Sequence, residues 1–68
     1  MKQFLLIIPV YNGAQYIDQT VKELDVFFRT HNKIFDILWI NDGSTDATKQ
    51  RIDQHIEKSV LPMRMLSY

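Results

Sequence analysis

Phe35-Asp36-Ile37-Leu38-Trp39-Ile40-Asn41-Asp42-Gly43-Ser44-Thr45-Asp46 carries the decisive pattern: an apolar run that stops abruptly in a polar turn. Apart from Asp36, every residue from Phe35 to Ile40 is apolar, and the turn formers Asn, Asp, Gly and Ser follow at once. A short apolar run closed in this way is a strand buried on both faces, as in a parallel sheet. Ser44 or Thr45 is then expected to cap a helix whose first turn carries Asp46, where the helix dipole favours negative charge. Ile52, Ile56 and Val60 recur at four-residue spacing and mark the inner face of that helix. Pro62 ends the segment, and Met63 to Ser67 reads as a further strand.

Upstream, the same grammar appears once more. Phe4 to Ile8 is a second continuous apolar run, closed by Pro9 and the Asn12-Gly13 pair. Asn12 is the expected N-cap of the next helix, with Gln15 in a capping-box relation three residues on. Ile17, Val21, Leu24 and Phe28 form one apolar stripe on it, and the helix should end between Thr30 and Lys33. Lys2 before the first apolar run imitates the opening of a signal peptide, but the run is too short, is closed by Pro9, and lacks a small-residue cleavage site. No stretch approaches the roughly 20 apolar residues needed to span a bilayer.

The order is therefore β-α-β-α-β, an α/β fold with a Rossmann-like, three-stranded parallel sheet. If the sheet grows in one direction (third, second, first strand), right-handed crossovers put both helices on the same face. The opposite face stays apolar and uncovered, and the first strand keeps a free edge. A homo-oligomer that buries this face or edge is the expected state of the isolated chain. The sequence reads as a single compact unit, residues 1–68, taken from something larger.

Bulk properties bound the function. A chain of 68 residues buries only about 60% of its unfolded surface, so stability is marginal. Eight basic and eight acidic residues give zero formal net charge, which excludes the basic footprint of a nucleic-acid binder. There is no cysteine, which fits a reducing compartment. A cytoplasmic location is expected, or the cytoplasmic face of a membrane for a longer parent protein.

In an open parallel sheet, ligands bind outside the carboxyl ends of the strands. Pro9 to Gly13 and Asn41 to Asp46 are the two segments that land there. Tyr11 offers an aromatic face for a base, and Asp42 an acceptor for a base imide N–H or a ribose hydroxyl. The helix N-termini behind both loops offer N–H groups useful near a phosphate. Gly43 lets the backbone turn sharply or approach a ligand. Plainer roles compete for these residues. Asp-Gly-Ser-Thr-Asp is on composition an ordinary capped turn, and Asp46 is better read as a cap than as a metal partner of Asp42. Trp39 belongs to the core, and His31 and His55 are solvated near helix ends.

Together, Ile8-Pro9-Val10-Tyr11-Asn12 and Ile40-Asn41-Asp42-Gly43-Ser44-Thr45-Asp46-Ala47-Thr48 resemble the opening signature of family 2 glycosyltransferases. In that family a Pro-x-Tyr-Asn motif closes the first strand, and an Asp-Asp-Gly-Ser-x-Asp-x-Thr motif follows the second. The resemblance implies the N-terminal half of a GT-A domain, acting on a nucleotide-diphosphate sugar, commonly a UDP-sugar. It implies that Pro9 and Tyr11 line the base pocket and that Asp42 binds the base. Asn41 stands where the family has its first Asp, and Gly13 where many relatives carry a nucleoside-contacting Glu. The resemblance also implies a Mg²⁺ or Mn²⁺ held by an Asp-x-Asp motif, which this chain does not contain. The implied reaction is single displacement with inversion, aided by a general base that lies further on in the family. The segment alone is expected to bind no metal and to be inactive. A non-catalytic binding or self-assembly module is the alternative, and a receiver-like domain ranks last because no acidic pocket follows the first strand.

Overall fold

The run Phe35–Asn41 forms β2, the middle strand of a three-stranded parallel sheet. The computed structural model describes residues 4–31 and 35–68. Around β2 the chain runs β1 (Phe4–Val10), α1 (Ala14–Thr30), α2 (Thr48–Lys58) and β3 (Met63–Ser67), in the order β1-α1-β2-α2-β3. The sheet order is β1-β2-β3, with Phe4 beside Phe35 at one end and Val10 beside Asn41 at the other. This is the expected α/β architecture. Lys2 and Lys33 lie outside the described residues.

Period-two alternation assigns the two faces. Phe35, Ile37, Trp39 and Asn41 are buried, while Asp36, Leu38 and Ile40 between them are only half-buried. The buried set faces α1 and α2, which contribute Ile17, Val21, Phe28 and Ile52 to one core with Leu61 and Met63. Leu24 and Ile56 pack partly against it. Phe28 meets Phe35 edge-to-face with centroids 5.1 Å apart. Trp39, expected in the core, is buried, and its indole N–H donates to the Met63 thioether at 3.4 Å. The buried polar handle of the indole is thereby satisfied.

Val60 departs from expectation: it is 88% exposed. α2 ends at Lys58, and Ser59 adopts an extended conformation, so the helical spacing no longer applies two residues later. Leu61 takes the buried place instead.

The other sheet face carries Leu5, Ile7 and Pro9 from β1, Leu38 and Ile40 from β2, and Leu66 from β3, as the register dictates. Leu5, Ile7 and Leu66 are all exposed. Both helices lie on one side, as expected from right-handed crossovers. Pro9 sits in β1 without breaking it. The Val10 carbonyl bonds toward β2, so its neighbour Pro9 points its donor-less nitrogen at the free edge, where no ladder bond is lost.

α1 and α2 are clamped by Asp18, which accepts from Arg51 Nη1 at 2.8 Å and contacts His55 Nε2 at 2.7 Å. The His55 hydrogen bond, with Arg51 assisting, holds the Asp18 carboxyl below its ordinary value. His55 is therefore an inter-helix contact rather than a solvated side chain. The exposed His31 stacks on Phe27, with ring centroids 3.9 Å apart.

Candidate functional site

β1 and β2 end side by side. Val10 is level with Asn41, and the Asp42 amide donates to the Val10 carbonyl at 3.1 Å. Tyr11 and Asp42 thus leave the sheet together at its carboxyl edge, where an α/β sheet presents its ligand site. Tyr11 is 64% exposed, which leaves its ring face available, and the Asp42 side chain is also exposed. Pro9, Tyr11, Gly13, Tyr16 and Trp39 help line an open depression of about 290 Å³ between the end of β1 and α1. Asp42 does not line it. The three site residues read from the sequence share one end of the sheet, but only Pro9 and Tyr11 share that depression. Tyr16, in the first turn of α1, also lines the depression, and no motif in the sequence points to it.

A larger groove of about 570 Å³ lies elsewhere, between α1 and α2, lined by Asp18, Lys22, Arg29, His55 and Lys58 among others. It borders the ends of the helices remote from the Tyr11 and Asp42 loops, so it is a seam between helices rather than the sheet's ligand edge.

The capping arrangement differs from the one expected. Asn12 is not the N-cap of α1; Gly13 is, and it supplies no side chain. Asn12 instead adopts a left-handed conformation, φ 48°, which Asn tolerates better than most residues. Its carboxamide oxygen reaches across to accept from the Thr45 amide at 2.7 Å. The Asn12 amide donates to Ser44 Oγ at 3.0 Å, and the Gly13 amide to Thr48 Oγ1 at 2.9 Å. The Ala14 amide donates to Asp46 Oδ2 at 3.3 Å. Residues of the β2–α2 loop and the first residue of α2 thus take the place of a local cap.

Ser44, Thr45 and Asp46 also sit differently in α2. The helix starts at Thr48, so Asp46 precedes it instead of occupying its first turn. Asp46 Oδ1 accepts from the Thr48 amide at 3.0 Å and from the Thr48 hydroxyl. These bonds, the hydroxyl's above all, with help from Ala14, hold the Asp46 carboxyl below its ordinary value. Both carboxylate oxygens are committed to the protein, which supports capping over metal ligation for Asp46. Asp42 and Asp46 therefore do not fit a metal pair, and no cluster of three acidic or imidazole side chains suited to a metal exists among the described residues. The amides of Gly13 and Ala14, and that of Thr48 at the start of α2, already have partners inside the protein, which reduces the donors these two helix starts can offer an anion.

The two departures from the family pattern have local physical reasons. Alternation along β2 turns Asn41 toward the helices, where it is buried. Its side-chain oxygen accepts from the Ser44 amide at 3.3 Å and its carbonyl from the Tyr68 amide at 2.9 Å. A neutral amide avoids the desolvation that a carboxylate would suffer there. At Gly13 a Cβ would stand 2.8 Å from Val10 Cγ2, so a larger side chain requires the stiff Val10 to move.

Comparison with known proteins adds the family. The model of glycosyl transferase family 2 matches residues 5–65. An uncharacterized glycosyltransferase of Mycoplasma pneumoniae is 37% identical over 59 residues, covering 81% of this chain and 18% of that protein. The undecaprenyl-phosphate 4-deoxy-4-formamido-L-arabinose transferase of Pseudomonas savastanoi pv. phaseolicola is 30% identical over 57 residues, covering 84% of this chain and 17% of that one. Among solved structures, the mannosyltransferase PcManGT of Pyrobaculum calidifontis, in complex with GDP-Man and Mn²⁺, superposes with a TM-score of 0.80 at 20% identity. That match covers 94% of this chain and 19% of the other, and it shows a shared fold. The chain thus spans less than a fifth of the length of each of these proteins. On the match that spans residues 5–65, the chain belongs to glycosyl transferase family 2.

Proposed function

We propose that this chain, residues 1–68, forms part of the donor pocket of an enzyme that transfers a sugar from a nucleotide-diphosphate sugar, a UDP-sugar in the first instance. The observation that carries this is the joint exit of Tyr11 and Asp42 from adjacent strand ends, both exposed, within the two family motifs. Tyr11 packs on the base, Pro9 lines the same pocket, and Asp42 accepts a hydrogen bond from the base imide or a ribose hydroxyl. The depression of about 290 Å³ suits a base and part of a ribose; complete ligand sites run from about 300 to 1,000 Å³. With several amides at the two helix starts already bonded inside the protein, the diphosphate is held chiefly by residues and a Mg²⁺ or Mn²⁺ outside this segment.

In the parent enzyme an acceptor hydroxyl loses its proton to a base, attacks the anomeric carbon and expels the nucleoside diphosphate with inversion. This segment supplies neither base nor metal, so it orients the nucleotide and is inactive alone. An amide-shift titration with UDP, GDP and CDP, repeated on Asp42→Ala, tests the reading. Selective shifts at Tyr11 and Asp42 that vanish in the variant are expected; no response to any nucleotide in a folded sample would refute it.

A second reading, a self-assembling module without catalysis, is favoured by the uncovered face of Leu5, Ile7, Leu38, Ile40 and Leu66. Under either reading the isolated chain buries that face, or the β1 edge, against a second copy. Light scattering at high concentration should give at least a dimer mass, and a monomer mass would sink that expectation. No helix among the described residues is long and apolar enough to cross a membrane.

A further inference from the structure

Three successive amides at the start of α1, those of Asn12, Gly13 and Ala14, each end on a side chain from the β2–α2 loop or the first residue of α2: Ser44, Thr48 and Asp46. Asn12 returns the favour by accepting from the Thr45 amide. Asp46 holds Thr48 in turn, through its amide and hydroxyl. Ser44, Thr45, Asp46 and Thr48 do not line the Tyr11 depression, although Asn12 and Gly13 do, and the staple spans the interval between Tyr11, directly before Asn12, and Asp42, two residues before Ser44. We propose that Asn12, Ser44, Asp46 and Thr48 are positioning residues that fix the gap between Tyr11 and Asp42 and so set nucleotide affinity. The proposal rests on the nucleotide-pocket reading given above.

The physical case is preorganisation. Each loop alone has few ways to hold its backbone: Asn12 is in a left-handed conformation and Gly13 has no side chain with which to cap α1. Side chains from the opposite loop replace the missing local caps, so neither loop can shift without breaking bonds made by the other. A pocket divided between the two loops then meets its ligand already ordered, and the ligand need not supply the ordering free energy. Asp46 is the hinge of this arrangement because one oxygen serves α1 and the other α2.

Asp46→Asn tests the idea, since it keeps shape and one acceptor but replaces the second acceptor with a donor. Ser44→Ala is the companion variant; it removes the partner of the Asn12 amide outside the core. Hydrogen exchange and amide shifts of the 68-residue chain are read first, without ligand. Exchange at Ala14 in the first variant, and at Asn12 in the second, should rise about 3- to 10-fold, with shifts spreading to Tyr11 and Asp42. Core amides such as those of Phe28 and Ile37 should keep their rates. Titration with GDP and UDP should then show dissociation constants raised by about 3- to 10-fold in either variant. Unchanged amides at Tyr11 and Asp42 in Ser44→Ala, whatever Asp46→Asn does to the fold, would overturn the proposal. So would unchanged nucleotide affinity in a variant whose staple amides have loosened. If the unmodified chain binds neither nucleotide, the pocket reading fails by itself, while the ligand-free shifts still report whether the staple couples the two loops.

Discussion

Thr48→Val is the sharpest test of how the two loops are held, because it changes one atom inside a fully buried side chain. The Thr48 hydroxyl accepts from the buried Gly13 amide at 2.9 Å and donates to Asp46. Valine fills the same space but leaves the Gly13 N–H facing a methyl group. An unsatisfied buried donor costs about 1–3 kcal/mol, and removing the hydroxyl returns only a fraction of that. Set against the roughly 0.05–0.15 kcal/mol per residue of a typical domain, this is a large part of the total for a chain of 68 residues. A urea melt followed by far-ultraviolet circular dichroism, with an m-value near 1 kcal/mol/M, should show the midpoint fall by about 1–3 M. Thermal melting should drop by roughly 4–8 °C for each kcal/mol lost. Thr48→Ser provides the control. It keeps both hydrogen bonds, loses one methyl worth about 0.8 kcal/mol, and should leave the Gly13 amide protected from exchange. A Thr48→Val chain as stable as the parent, with its Gly13 amide still protected, would refute the reasoning.

Other outcomes follow from the same structure. Gly43 has φ 70°, so Gly43→Ala should destabilise by about 1–2 kcal/mol and Gly43→Asn by less, as read from denaturant midpoints. Ile37→Ala removes a fully buried side chain at the centre of β2 and should cost about 2–5 kcal/mol, whereas Val60→Ala should lie within about 0.5 kcal/mol of the parent. Asp18 and Asp46 both titrate below the ordinary carboxylate value of 3.8 in the folded chain. Their contribution is complete above that value, declines as pH falls through the depressed folded values, and is absent below them. A melting-temperature profile should therefore be level above about pH 5 and fall toward pH 2, less steeply in Asp18→Asn; an equally steep fall in that variant would refute the Asp18 part.

Much of the fold was legible because its signals are strong and local. Apolar runs with abrupt polar stops marked β1 and β2, and a four-three-four apolar spacing marked the buried face of α1. Trp39 lies in the core, as its apolar strand context predicts. The missed features share one cause: they depend on contacts between residues distant in sequence. Asn12 has the composition of a local cap, and nothing in its neighbours announces that its carboxamide turns to Thr45 instead. Asp46 reads as a first-turn acid in the sequence because a cap at Ser44 or Thr45 starts α2 two or three residues too early, a common error where several cap formers follow one another. Val60 kept the helical period in sequence after the helix had ended. For the candidate site, the strand ends were readable from pattern, while the split between the Tyr11 depression and Asp42 needed three dimensions.

The staple between the loops also has a kinetic meaning. Its hydrogen bonds join residues 32, 33 and 35 positions apart, one β-α unit to the next. Such bonds cannot form while β1 and α1 stand alone, since the chain entropy of closing the intervening loop is recovered only when β2 docks beside β1. The region around Tyr11 therefore acquires its final shape with the second unit rather than with its own. An emerging or partly unfolded chain presents the aromatic ring and the carboxylate as unconnected groups, and on the donor-pocket reading proposed above, nucleotide capture would report that both units have folded and met.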